Sequence, residues 1–327
     1  MRRTAVRDIR VGAAQFEHRD GDKAYNLARI DALAGEAARQ GAEVVSFHEC
    51  SITGYTFLRR LDRAALARLA EPVPGGPSTS ALIEIARRHG VVVMAGLIEA
   101  EGDRLHKTYV TVGPEGFLTR FRKLHPFIHP AIVPGEGYHV AELRGMRAGF
   151  LVCYDCNLPE NVRATTLLGA EVIFAPHVTG GTPSEMPGRG VIDPALWEAR
   201  ERDPETLRRE FDGPKGRGWL MRWLPARAWE NGVYIVFANA VGRDDDTIKP
   251  GLAMIFDPFG DVQAESRALG DDVVVTELQA AKLERAPGRR YLRARRPELY
   301  GKLVEPHPAG QRPVTEPGWK VKVDPRS

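Results

Sequence analysis

Cysteine is scarce in this chain, with three in 327 residues. So small and odd a number is no disulfide framework, which points to a reducing compartment, the cytoplasm. Long apolar runs are missing too. The longest are about strand length, well short of the ~20 residues that cross a bilayer, so no membrane association is expected. Met1-Arg2-Arg3-Thr4 leads into no apolar core, so neither a secretory leader nor a twin-arginine signal is expected. A large charge of either sign is absent: 46 Lys and Arg against 43 Asp and Glu leave +3. Much of that surplus sits in Arg285, Arg289, Arg290, Arg293, Arg295 and Arg296, where Tyr291 is the one interleaved aromatic. Nucleic acid is therefore not an expected partner, and the run reads as a solvated or subunit-facing arm. There is no internal repeat or low-complexity tract, and 43% hydrophobic residues suffice for a core, which excludes disorder.

What is present alternates strand and helix. Ile9–Phe16, Val44–Phe47, Val91–Ala95, Arg147–Cys153, Val172–Ala175, Val233–Ala238, Ala253–Phe256 and Val273–Glu277 read as strands. Ala24–Gln40 carries Leu27, Ile30, Leu33, Ala34 and Ala37 at helical spacing and stops at Gly41. Ser78–His89 and Val162–Gly169 read as helices, and Thr108–Val112 with Leu118–Arg122 as a hairpin around Gly113-Pro114-Glu115-Gly116. The class is α/β with inserted hairpins. Thr179–Gly218 is polar, with a helical middle at Pro194–Phe211, and reads as an insertion. Beyond Gly288 the chain is rich in Arg and Pro, a composition that suits an extended surface arm. The length prior suggests two domains.

Three reactive side chains end predicted strands: Glu49, Lys123 and Cys153. Ligands of α/β sheets gather beyond strand carboxyl ends, so the three can meet. Together they make coherent chemistry, with a thiolate to attack carbon, a carboxylate to move the proton and an ammonium to stabilise the oxyanion. The Tyr154 N–H, just after the cysteine, is a natural second oxyanion donor. Taken singly, a strand-end Cys is usually a small buried hydrophobe and a strand-end Glu or Lys is usually solvated. Cys153-Tyr154-Asp155-Cys156 has the form of a redox Cys-x-x-Cys, but lacks the setting of one. Cys50, Cys153 and Cys156 lack zinc-ligand spacing, so no metal is expected.

Four stretches carry a family resemblance. They are Ala42–Glu49 with Ser51-Ile52-Thr53-Gly54-Tyr55, Phe121–His125 (FRKLH), Val152–Glu160 (VCYDCNLPE), and Arg227–Tyr234 with Ala238-Asn239. In this order they resemble the carbon–nitrogen hydrolases of the nitrilase superfamily, in the amidase and carbamoylase-like branch, over about Ile9 to Leu278. Arg296-Pro297-Glu298-Leu299-Tyr300 resembles the family's C-terminal segment.

The resemblance implies a four-layer α-β-β-α sandwich, a homodimer or higher homo-oligomer, and no cofactor. It replaces the two-domain prior with one domain, 1–288, enlarged by the insertion at about 179–218, and an arm, 289–327, at an oligomer interface. It further implies Cys153 as nucleophile, Glu49 as general base and acid, and Lys123 as oxyanion stabiliser. The substrate would be a small linear amide or carbamoyl compound, cleaved through a thioester with release of ammonia or an amine. A nitrile is the alternative substrate, although true nitrilases usually follow the cysteine with Trp-Glu where this chain has Tyr154-Asp155. The family also has a second glutamate soon after the lysine, and the loop from His125 to Gly135 holds no acid. A catalytically weak or inactive scaffold of the same fold is therefore a further alternative. Glu136 and His129 are candidates for the missing place, with Tyr55 and His177 as further substrate-binding candidates. Trp197, Trp219 and Trp223 either wall the pocket or pack the insertion.

Overall fold

Strand β1 (Ile9–Gln15) is buried on both faces. Ile9, Val11 and Ala13 point into the main core, whereas Ala14 joins a second one. Side chains alternate along a strand, so a strand apolar on both faces needs a covering layer on each side. A computed structural model, describing residues 7–182 and 190–306, contains those layers.

After β1 come α1 (Lys23–Arg39), β2 (Val44–Ser46), α2 (Arg63–Leu69), α3 (Pro77–His89), and the strands β3 (Val92–Glu101), β4 (Arg104–Gly113) and β5 (Gly116–Arg122). The chain continues with β6 (Val140–Leu143), β7 (Met146–Phe150), α4 (Tyr154–Asn157), α5 (Pro159–Leu167) and β8 (Val172–His177). Four helices follow: α6 (Pro194–Glu198), α7 (Pro204–Asp212), α8 (Arg217–Leu220) and α9 (Leu224–Asn231). Then come β9 (Tyr234–Asn239), β10 (Val241–Asp244), β11 (Thr247–Pro250), β12 (Met254–Phe256), β13 (Val262–Glu265), β14 (Asp272–Leu278), α10 (Ala280–Arg285) and α11 (Pro287–Arg293).

Two six-stranded sheets result, ordered β14-β1-β2-β3-β4-β5 and β13-β12-β9-β8-β7-β6. Each has a parallel trio, β1-β2-β3 or β7-β8-β9, flanked by antiparallel strands. Val92 and Met94 of β3 face the core between the sheets, while Val93, Ala95 and Leu97 face α1 and α3. Helices α5 and α9 cover the outer face of the second sheet, and α11 packs on α9. The layers run α-β-β-α, as the sequence led us to expect.

Several elements differ from the sequence reading. Strand β3 runs on to Glu101 and returns as β4 around Gly102. Its charged end looks solvated in sequence, yet Glu99 is fully buried between Arg120 and Arg122. Strand β7 stops at Phe150, three residues before Cys153, because the cysteine has left extended backbone (φ 54°). The expected helix Pro194–Phe211 is two helices, since the Asp203 side chain caps α7 and Pro204 lacks the N–H a continuing helix needs. The arm begins not extended but as α11, with 3₁₀ turns at Pro297–Leu299 and Gly301–Val304. Its remainder, 307–327, lies outside the described residues, as do 183–189 of the insertion and Met1-Arg2-Arg3-Thr4.

Candidate active site

Glu49 stands three residues past β2, in a turn pressed against β3. Gly96 makes that approach feasible, because a Cβ there would lie 2.3 Å from the Cys50 nitrogen. Ser51 Oγ accepts from the Gly96 N–H, and the Ile52 N–H donates to the Gly96 carbonyl. The Tyr109 hydroxyl, from β4, donates to the Phe47 carbonyl at 2.8 Å. The carboxylate itself is 1% exposed.

Lys123 follows directly on β5, and its Nζ donates to Glu49 Oε1 at 2.8 Å. A second lysine meets the same oxygen: Lys107 Nζ, from β4, is 3.5 Å away and equally buried. Glu49 Oε2 has no hydrogen-bond partner among the described residues. Burial raises the Glu49 carboxyl, but Lys123 and Lys107 more than offset this and hold its pKa below the ordinary range. Burial also works against the charge on Lys123, which Glu49 and Cys153 restore, leaving its pKa above that of a free lysine.

Cys153 occupies the turn between β7 and α4 with φ 54° and ψ −109°, a sparsely populated region for a residue with a Cβ. Its own N–H donates to the Pro176 carbonyl at 2.8 Å. The Tyr154 N–H is the first amide of α4, where a helix offers no acceptor of its own. Asp155 ties this elbow to the lysine loop, accepting from the Val152, Leu124 and His125 N–H groups and contacting His125 Nδ1 at 2.9 Å. Arg227 closes the other side through the Cys156 and Asn157 carbonyls. Burial pushes the Cys153 thiol up to about 11, with Lys123 pulling the other way. It rests as a thiol at neutral pH and needs a base to become a nucleophile.

Other predicted residues divide. Tyr55 belongs to the cluster, its ring 4.2 Å from Lys107 Nζ. His177 ends β8 with Nδ1 2.8 Å from the Ala175 carbonyl, packed on Phe237 and Trp223, and stands close enough to Glu49 to help hold its pKa down. His129 instead stitches its own loop, to the Leu61 carbonyl and from the Ala131 N–H. Glu136 faces solvent, its side chain 80% exposed and paired with Arg104. Neither of these two is among the partners of Lys123. The loop without an acid offers Lys123 a ring instead, Phe127 at 4.7 Å. Trp197 packs the insertion with Leu207 and Phe211 onto the β10–β11 hairpin, while Trp219 meets Trp223 edge to face and Trp223 lies against His177.

Sequence reading missed Lys107, and it named Asp155 without a role. Nothing local marks Lys107, whereas the Cys-x-Asp spacing offered a signal for Asp155. It also missed a polar chain behind Glu49. His48 Nε2 meets His18 Nδ1 at 3.1 Å, and His18 Nε2 meets Asp244 Oδ1 at 3.1 Å. His18, Asp20 and Asp244 are metal-ligating types close together. Asp244 is already engaged by His18, Thr56 and the Lys249 ammonium, so the group reads as a hydrogen-bonded strut.

The sequence model of the family described as carbon-nitrogen hydrolase matches residues 10–287. The chain belongs to the carbon–nitrogen hydrolase family. An (R)-stereoselective amidase from a Pseudomonas species is 34% identical to this hydrolase over 313 residues, 93% of this chain and 97% of its own length. A nitrilase from Pyrococcus abyssi is 29% identical over 273 residues, 83% and 89% of the two chains. Among solved structures, an amidase from Nesterenkonia sp. has the same fold, with a TM-score of 0.67 at 24% identity, covering 93% of this chain and 98% of that one.

Proposed function

We propose that this hydrolase cleaves the carbon–nitrogen bond of a small linear amide or carbamoyl compound, with Cys153 as nucleophile, Glu49 as proton carrier and Lys123 as oxyanion stabiliser. The observation that carries the reading is the buried Lys123–Glu49 pair at 2.8 Å, whose charges act on the sulfur of Cys153 in a strained strand-to-helix elbow. The resemblance to an (R)-stereoselective amidase along nearly the whole chain favours an amide over a nitrile.

Glu49 takes the Sγ proton as sulfur bonds to the carbonyl carbon and the π electrons move to oxygen. Lys123 and the Tyr154 N–H donate to that oxyanion. Collapse expels the nitrogen, which takes the proton from Glu49 and leaves as ammonia or an amine. Water then adds to the thioester carbon, giving its proton to Glu49. The second collapse releases the carboxylic acid, and the sulfur recovers the proton from Glu49.

Ammonia release from a panel of amides, carbamoyl compounds and matched nitriles tests this. Cys153→Ala should lose turnover on the best amide, and a variant that still released ammonia would sink the mechanism. Faster turnover of nitriles than of their amides would reassign the substrate.

We also read the enzyme as a cytoplasmic homo-oligomer. Three unpaired cysteines suit a reducing compartment. Leu167, Leu168, Trp229 and Tyr291 are all more than 40% exposed on or beside the helices over the second sheet, which supports self-association through that face. Light scattering that gave a monomer would count against it.

A further inference from the structure

Lys107 is an ammonium that strand geometry has turned inward. On β4, Lys107 and Tyr109 point to one face, and Tyr109 belongs to the core between the sheets. The Lys107 carbonyl accepts from the Lys123 N–H at 2.9 Å, so the two lysines are held side by side. Their ammonium groups converge on one carboxylate oxygen, Glu49 Oε1, at 3.5 and 2.8 Å. Lys107 Nζ makes no hydrogen bond among the described residues, and aromatic rings fill its surroundings, Tyr55 at 4.2 Å and Phe127 at 5.3 Å. The titratable groups facing it are Glu49, Cys50, Tyr55, Lys123 and Cys153.

Glu49 is the carboxylate that meets both ammonium ions; Asp155, which also acts on Lys123, is already held by the Val152, Leu124 and His125 N–H groups and the His125 ring. The site therefore holds a surplus positive charge where water is excluded, and charge interactions are strong there. A surplus cation also lowers the free energy of any anion formed beside it. Two anions form in the proposed reaction, the Cys153 thiolate and the oxyanion.

We propose that Lys107 is a positioning residue of this site, a second cation that acts with Lys123 to favour the Cys153 thiolate and that holds the Lys123 backbone in place. This rests on the reading of Cys153 as nucleophile. The proton still passes from sulfur to Glu49, and Lys107 gives up none. Its influence reaches sulfur as charge, in the same direction as that of Lys123.

The test follows Cys153 alkylation by iodoacetamide from pH 5 to 10, located by peptide mapping, in wild type, Lys107→Met, Lys107→Gln and Lys107→Arg. The two neutral variants should react about tenfold more slowly near pH 7, and the gap should close above pH 8, where wild-type Lys107 gives up its own proton. On the best amide, kcat should fall by a similar factor while KM stays within about twofold. Lys107→Arg should keep more reactivity than either neutral variant. Melting curves establish that the variants are folded, and Lys107→Gln serves if Lys107→Met is not. An unchanged alkylation rate near pH 7 in the folded neutral variants would overturn the proposal, as would a loss confined to KM. Alkylation needs no turnover, so it judges Lys107 even if Cys153→Ala were to retain hydrolysis and the functional reading failed.

Discussion

At the scale of single residues, charge decides which side chains matter. The motifs around Glu49, Lys123 and Cys153 are local, so their residue types and order are legible in sequence. Lys107 is not, because its meaning comes from a pairing of β4 with β5 and a meeting with a turn some sixty residues upstream. Lys123→Met should cut kcat by about 10²–10³, the usual loss for one oxyanion donor, measured as ammonia release. Lys107 also leaves a mark on stability. Burial lowers its pKa from 10.5 to about 8. Between those values the unfolded chain holds a proton that the folded chain has released, so folding gains as pH rises. Below 8 the folded state carries the buried ammonium in full. Lys107→Met should therefore melt higher than wild type near pH 7, and the gap should narrow between pH 8 and 10. A gap independent of pH would contradict this. A substitution that stabilises the fold and slows the chemistry is the pattern of a charge kept for function.

Elements place those residues, and here sequence legibility was uneven. Apolar strands and amphipathic helices announced themselves by period. The far half of β3 did not, since Glu99 and Glu101 look like solvent-facing residues until Arg122 is seen gripping both. The β10–β11 hairpin was missed for the same reason, its Asp244 and Lys249 being a buried pair. Two predictions belong at this scale. Gly96→Ala places a methyl group against the Cys50 backbone. It should cost about 1–3 kcal/mol in chemical denaturation and reduce kcat by displacing Glu49. Asp244→Asn keeps one acceptor oxygen but removes the negative charge and the second oxygen, the one that meets Thr56 Oγ1 and Lys249 Nζ. Loss of that buried negative charge, with an amide NH2 put in place of an oxygen facing two donors, should cost about 3–5 kcal/mol, read as a lower denaturation midpoint.

For the whole molecule, the two sheets bring residues from several strand ends to one place, which is why a few distant motifs suffice to recognise the family. The pairing of β1 with β14 has a different consequence. Ile9 is matched with Leu278, so the first strand of the first sheet waits for the last one. While the chain is still being synthesised, β2 can pair with β1 and β3–β5 can extend the sheet, but the other edge of β1 stays bare until residues 272–278 emerge. A bare strand flanked by apolar faces is a template for another chain. A polypeptide ended at residue 271 should therefore aggregate on expression while one ended at residue 306 stays in solution, and sedimentation of the two from fresh lysates would tell them apart. The newborn protein is most exposed to misassembly at a place far from its chemistry, and for nearly the entire length of its translation.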